Sequence, residues 1–285
     1  MTKKYKEILG KQMAYLEEGS GQSIVFLHGN PTSSFLWRNI TPFVKDLGRV
    51  VVPDLIGMGD SEKLGGNDNP DYAYHGQYNY LSNLLDSLNL GNEINLVIHD
   101  WGSAMGFQYA RENPSRIKSI SFMEAIVMPM TWDDWPEIAR NIFQLMRSGA
   151  GEEIVLEKNI FVERILFNDS EKGLSDEAKK EYIRPFKNAG EDRRPTLTWP
   201  RQIPIDGSPE AVIDEVTKNG EFHKNSDIPK LFINADPGTI LIGKQREFVR
   251  SWANLKEVTV KGNHFVQEDS PREIGEAIKV FIEKI

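Results

Sequence analysis

Three short stretches combine an apolar run, a sharp turn and polar side chains: His28-Gly29-Asn30-Pro31, His99-Asp100-Trp101-Gly102 and Gly262-Asn263-His264-Phe265. The second carries the clearest chemistry. In residues 95–106 (NLVIHDWGSAMG) an apolar run ends on Asp100, glycine follows two residues later, and small residues then open a helix. That is the strand–turn–helix setting of a nucleophile elbow, with aspartate where serine usually stands. A carboxylate is already ionised at neutral pH and suits displacement at a saturated carbon bearing a leaving group. The product is an alkyl ester of the protein, which water must then cleave. An aspartate after a strand also serves as a helix N-cap, and Ile98 is bulkier than the small residue many elbows place two positions before the nucleophile.

Hydrolysis of such an ester needs a base. His264 lies after the last expected strand, just before a helix opened by Ser270-Pro271, where a nucleophile–acid–histidine chain order puts that group. His28 and His99 flank turns and are expected to bond backbone; His75 and His223 sit among polar residues and are expected to be solvated. Two carboxylates at strand ends, Glu124 and Asp236, can orient His264, and the residues alone leave both open, Asp236 also fitting the start of an Asp-Pro-Gly turn. The backbone N–H groups of Asn30 and Trp101 can form an oxyanion hole. Their side chains, an amide and an indole, present two donors to a departing anion, and a halide suits them.

These turns need a parallel sheet to hold them, because open α/β sheets bind ligands at strand carboxyl ends. Strands are expected at 24–28, 50–53, 95–99, 117–123, 231–235 and 257–260, and helices at 74–88, 103–111, 209–219 and 272–284. The alternation stops after Glu124. Residues 127–207 are helical in period and rich in Trp and Pro, and they read as a cap inserted into an α/β core formed by 1–126 and 208–285. From the cap, Trp132, Trp135, Pro136, Phe143, Phe161, Ile165, Trp199, Pro200 and Ile203 are expected to line an apolar cavity over Asp100, with Ile126, Ile240 and Phe265 from the core.

Composition narrows the classes. The 285 residues carry a formal charge of −8 and no cysteine, which excludes disulfides and thiolate chemistry and argues against a nucleic-acid or anionic-membrane partner. Residues 1–10 contain no apolar signal core, and no apolar run approaches the ~20 residues of a membrane span. A soluble, cytoplasmic protein that needs neither cofactor nor metal is expected.

Taken together, HGNPTSSFLWRN (28–39), PDLIGMGDS (53–61), HDWGSAMGFQYA (99–110), MEAIV (123–127), RRPTLTWPRQIPI (193–205) and HFVQEDSP (264–271) resemble the haloalkane dehalogenases of the α/β-hydrolase superfamily across nearly the whole chain. The resemblance implies an α/β-hydrolase fold with a helical cap, Asp100 as nucleophile, His264 as base, Glu124 as acid and Asn30 with Trp101 as the halide pair. It further implies a small apolar halogenated substrate, water as second reactant and halide as product. The segment 167–173 (FNDSEKG) departs from the family's apolar pattern and puts Asp169 where an apolar tunnel-mouth residue is expected. The chain is also similar to coelenterazine luciferase, notably at WDDWP (132–136) and DPG (236–238). Epoxide hydrolases share the elbow aspartate but use two cap tyrosines, and only Tyr182 falls between 127 and 207.

Overall fold

The near-continuous apolar runs of the sequence suit strands covered on both faces. In the computed structural model, which describes residues 1–285, they form the centre of one eight-stranded sheet. The strands are β1 (Thr2–Ile8), β2 (Lys11–Glu18), β3 (Ser23–Leu27), β4 (Arg49–Pro53), β5 (Ile94–Asp100), β6 (Ile117–Ala125), β7 (Lys230–Pro237) and β8 (Leu255–Gly262). Their order is β1-β2-β4-β3-β5-β6-β7-β8, parallel from β4 to β8 and antiparallel at β1/β2 and β2/β4. After β3 the chain goes to one side and builds β4, then returns to the other side and builds β5. This reversal opens a crevice at the carboxyl ends of β3 and β5, where Asn30 and Asp100 lie.

The β1–β2 hairpin has no counterpart among the expected elements. β1 (TKKYKEI) is exposed along most of its length, so it lacks the apolar alternation that marks a half-buried strand. Its turn is Leu9-Gly10, both at positive φ (51° and 76°), the geometry that matches strand twist in a two-residue hairpin. Lys3, Lys4 and Lys6 line this edge strand and discourage further pairing.

Helices Tyr74–Ser87, Trp101–Glu112, Glu210–Asn225, Gly243–Arg250 and Pro271–Ile282 flank the sheet. The excursion between β6 and β7 contains helices Glu137–Arg147, Asp176–Ile183 and Arg194–Gln202, and two π-helical segments, Glu152–Glu157 and Phe161–Leu166. Its two ends meet: the Met130 N–H donates to the Pro204 carbonyl at 2.9 Å, and the Asp206 N–H to the Met130 carbonyl at 3.0 Å. No helix is long and apolar enough to cross a membrane.

Candidate active site

β5 runs into Asp100 and turns at once into helix Trp101–Glu112. The turn holds Asp100 at φ 49° and ψ −128°, and its side chain caps no helix N–H. A non-glycine residue at positive φ is strained and persists only where its surroundings fix it. Here Ser103 Oγ donates to the Asp100 carbonyl and accepts from the Ile126 N–H at 2.9 Å, tying the turn to β6. Two glycines allow the close approach. A Cβ on Gly29 would overlap the Asp100 carboxylate, and one on Gly102 would strike the Leu27 and His28 carbonyls. A third explains Ile98, because Gly106 leaves room for it: a Cβ there would sit 2.8 Å from Ile98 Cγ2.

The Asp100 carboxylate is buried and well partnered. Oδ1 accepts from the Asn30 N–H at 2.7 Å. Oδ2 stands 3.4 Å from His264 Nε2. Burial pushes the carboxyl upward, but the His264 hydrogen bond and charge hold it below the ordinary aspartate value.

Of the two acids left open, the structure brings only Glu124 to His264. Glu124 Oε2 lies 3.2 Å from His264 Nδ1 and also accepts the Thr239 and Ile240 N–H groups at 3.0 and 2.8 Å. A β-bulge aims it. On β6 the register with β5 passes from Met123 to Ala125, so Glu124 is the extra residue, at φ 39°. Asp236 lies exposed at the end of β7. His264, between two carboxylates, is raised well above the ordinary imidazole value: burial works against the proton, but hydrogen bonds and charges from Asp100 and Glu124 outweigh it.

His99 packs 4.7 Å from the His264 ring and donates from Nε2 to the His264 carbonyl at 2.8 Å. Burial, with His264 adding to it, lowers it to about 3, so it stays neutral. His28 also bonds backbone as expected, accepting from Leu55 N–H at 3.0 Å. His223 corrects an expectation: it is fully buried rather than solvated, with Nε2 against the Phe107 carbonyl at 2.9 Å. A polar helical surrounding in sequence did not reveal that Asn219, Gly220 and His223 form the inward face of Glu210–Asn225.

Asp100, His264, Asn30 and Trp101 open onto a cavity of about 420 Å³. Of the expected lining, Ile126, Trp135, Pro136, Phe143, Phe161, Ile165, Pro200, Ile203, Ile240 and Phe265 form its wall. Trp199 does not. It lies behind the wall, stacked on Trp101 at 4.5 Å between ring centroids, and fixes that indole from the far side. Trp132 is also off the wall, edge-on to Trp135 at 6.4 Å. Sequence reasoning missed apolar Met130, Ile138, Ala139 and Ile242, and polar Asn168, Thr239 and Asn263, whereas Asp169, singled out at the tunnel-mouth position, does lie on the wall. Asn263 was within reach because it precedes His264; Asp169 carried only its departure from an apolar pattern. No tyrosine stands on the wall, and the Tyr182 hydroxyl donates instead to the Glu268 carboxylate.

Residues 22–271 match the alpha/beta hydrolase fold family. Over 283 residues, 99% of the chain, it is 51% identical to a haloalkane dehalogenase of Sphingobium indicum and 52% identical to one of Mycolicibacterium smegmatis, covering 96% and 91% of those proteins. It is 41% identical to the coelenterazine h 2-monooxygenase of Renilla reniformis, over 94% of this chain and 86% of that one. Among solved structures, a haloalkane dehalogenase of Bradyrhizobium elkani superposes with a TM-score of 0.94 at 36% identity, covering 99% of this chain and 98% of the other.

Proposed function

The chain belongs to the haloalkane dehalogenase family of α/β-hydrolases, and we propose that it cleaves carbon–halogen bonds in two steps centred on Asp100. The observation that carries this reading is a buried carboxylate on a strained turn that caps no helix and faces both an apolar cavity and an imidazole. In the first step Asp100 Oδ2 attacks the carbon bearing the halogen, the carbon–halogen bond breaks, and halide leaves with the bonding pair. The Trp101 indole N–H and the Asn30 amide are the donors that stabilise it. Trp101 is held for this by Trp199, and the Asn30 amide by a long, 3.4 Å bond to the Thr196 carbonyl that leaves its second N–H free.

Oδ1, held by the Asn30 N–H, becomes the ester carbonyl oxygen and later the oxyanion. Ester formation also removes one of the two negative charges that hold the His264 proton, so the imidazole value falls, that proton is released to solvent, and the neutral ring is available as a base when hydrolysis requires it. His264 Nε2 then takes a proton from water, Glu124 holds Nδ1–H, and hydroxide attacks the Asp100 carbonyl carbon. The sum is haloalkane plus water giving alcohol, halide and a proton. Residues 127–207 act as the cap that supplies the apolar wall, over a core of 1–126 and 208–285. The substrate is small, apolar and halogenated, and no cofactor enters either step.

Bromide release from a short terminal bromoalkane tests the reading, with Asp100→Ala as control and light from coelenterazine read in parallel. Release that is lost in the variant supports it. Strong light without bromide would place the chain with its monooxygenase relative instead.

A further inference from the structure

Asp169 is a half-buried carboxylate that the two steps above do not use. It closes the helical turn Phe167–Asp169 of the cap and lies on the cavity wall. Its oxygens are turned to the backbone that carries the base: Oδ2 accepts the Phe265 N–H at 2.7 Å, and Oδ1 accepts the His264 N–H at 3.4 Å. The contact is reciprocal, since Asn263 Nδ2 donates to the Asp169 carbonyl at 2.7 Å. The neighbouring residues tie the same two segments together. Ser170 Oγ donates to Asp269 Oδ1 at 2.6 Å, and Lys172 Nζ to the Asp269 carbonyl at 2.5 Å.

The His264 peptide is therefore held from both sides, its carbonyl by His99 of the core and its N–H by Asp169 of the cap. Buried N–H groups require acceptors, and an apolar side chain at 169 would supply none. We propose that Asp169 is a positioning residue for ester hydrolysis, through which the cap sets the orientation of the His264 loop. It rests on the reading of His264 as the base that activates water. The groups facing His264 are Asp100 and His99 from β5, Glu124 from β6 and Asp169 from the cap, with Phe265 beside it. Asp169 is the one of the three carboxylates that touches the backbone of His264 rather than its ring. Its charge still reaches the imidazole: burial pushes the Asp169 carboxyl up, and His264 pulls it back down.

Asp169→Leu removes both acceptors at similar bulk, whereas Asp169→Asn keeps one acceptor oxygen and removes the charge. Ester formation and ester decay are measured separately by rapid quench and intact-protein mass, using 1-bromobutane. For Asp169→Leu, decay is expected to slow about tenfold while formation stays within about twofold, so alkylated protein accumulates. Asp169→Asn is expected to recover most of the decay rate and to move its pH midpoint down by about half a unit, because one negative charge near the imidazole is gone. Wild-type decay in Asp169→Leu, or equal loss in both steps, overturns the proposal. If that variant does not fold, an Asp169→Asn profile superimposable on wild type overturns it. Absence of any ester in the wild type would instead remove the two-step reading itself.

Discussion

The floor and the roof of the cavity are built by opposite means. The floor is made by backbone: Asp100 and Glu124 both at positive φ, a bulge, and glycines that let segments approach within a Cβ's radius. The roof is made by side-chain bulk, with Phe143 tilted against Trp135 at 4.8 Å and edge to face with Phe161 at 5.8 Å. A strained backbone fixes a reacting atom within narrow limits and tolerates little change. A packed apolar wall excludes water and sets shape, and it accepts substitution so long as volume is preserved. Chemistry should therefore fail sharply when the floor is altered, and specificity should drift when the roof is.

The largest expected effect is at Asp100. Replacing it by Ala should lower halide release at least about ten-thousandfold, as for other nucleophiles whose partners are left in place. Gly29→Ala comes next. Its Cβ would overlap the Asp100 carboxylate, so turnover should fall about a hundredfold, and Tm, followed by circular dichroism, should drop because overpacking costs about 1–3 kcal/mol. Near wild-type turnover would show that the floor relaxes as readily as the roof.

The pH dependence separates the two steps on the floor. Asp100 is held below the ordinary carboxylate value, so ester formation should be flat from about pH 5 to 8. His264 is the raised group and must shed its proton to act, so ester decay should fall toward acid by about tenfold per pH unit below its midpoint. Single-turnover rates over that range check the sign. The smallest effect belongs to the roof. Ile165→Ala should change relative kcat/KM between short and long bromoalkanes by about fivefold, with bromobutane turnover within about threefold of wild type. A collapse of turnover there would erase the distinction.

The same contrast governs what could be read in the sequence. Each floor residue ends a strand or lies in the turn after one, and strand ends are the most legible positions in a parallel sheet. Asp100, His264, Asn30 and Trp101 were visible for that reason. Glu124 and Asp236 were indistinguishable as strand-end acids, because the bulge that separates them is a matter of register, and register has no local signature. In the cap, most apolar residues expected on the wall are there, but Trp199 and Trp132 are not, packing instead on Trp101 and Trp135. Bulk and apolarity mark burial and do not say which buried surface a side chain meets. The hairpin β1–β2 escaped notice because a charged edge strand buries too little to leave a pattern.

The central claim is that an Asp100 ester lies between substrate and product and that His264 serves only its hydrolysis. His264→Phe, exposed briefly to 1-bromobutane and weighed intact, tests it most directly. The account predicts the mass of one added butyl group, carried on the peptide containing Asp100, with stoichiometric bromide release and no turnover. An unmodified mass from a folded variant, while the wild type is active, would contradict it.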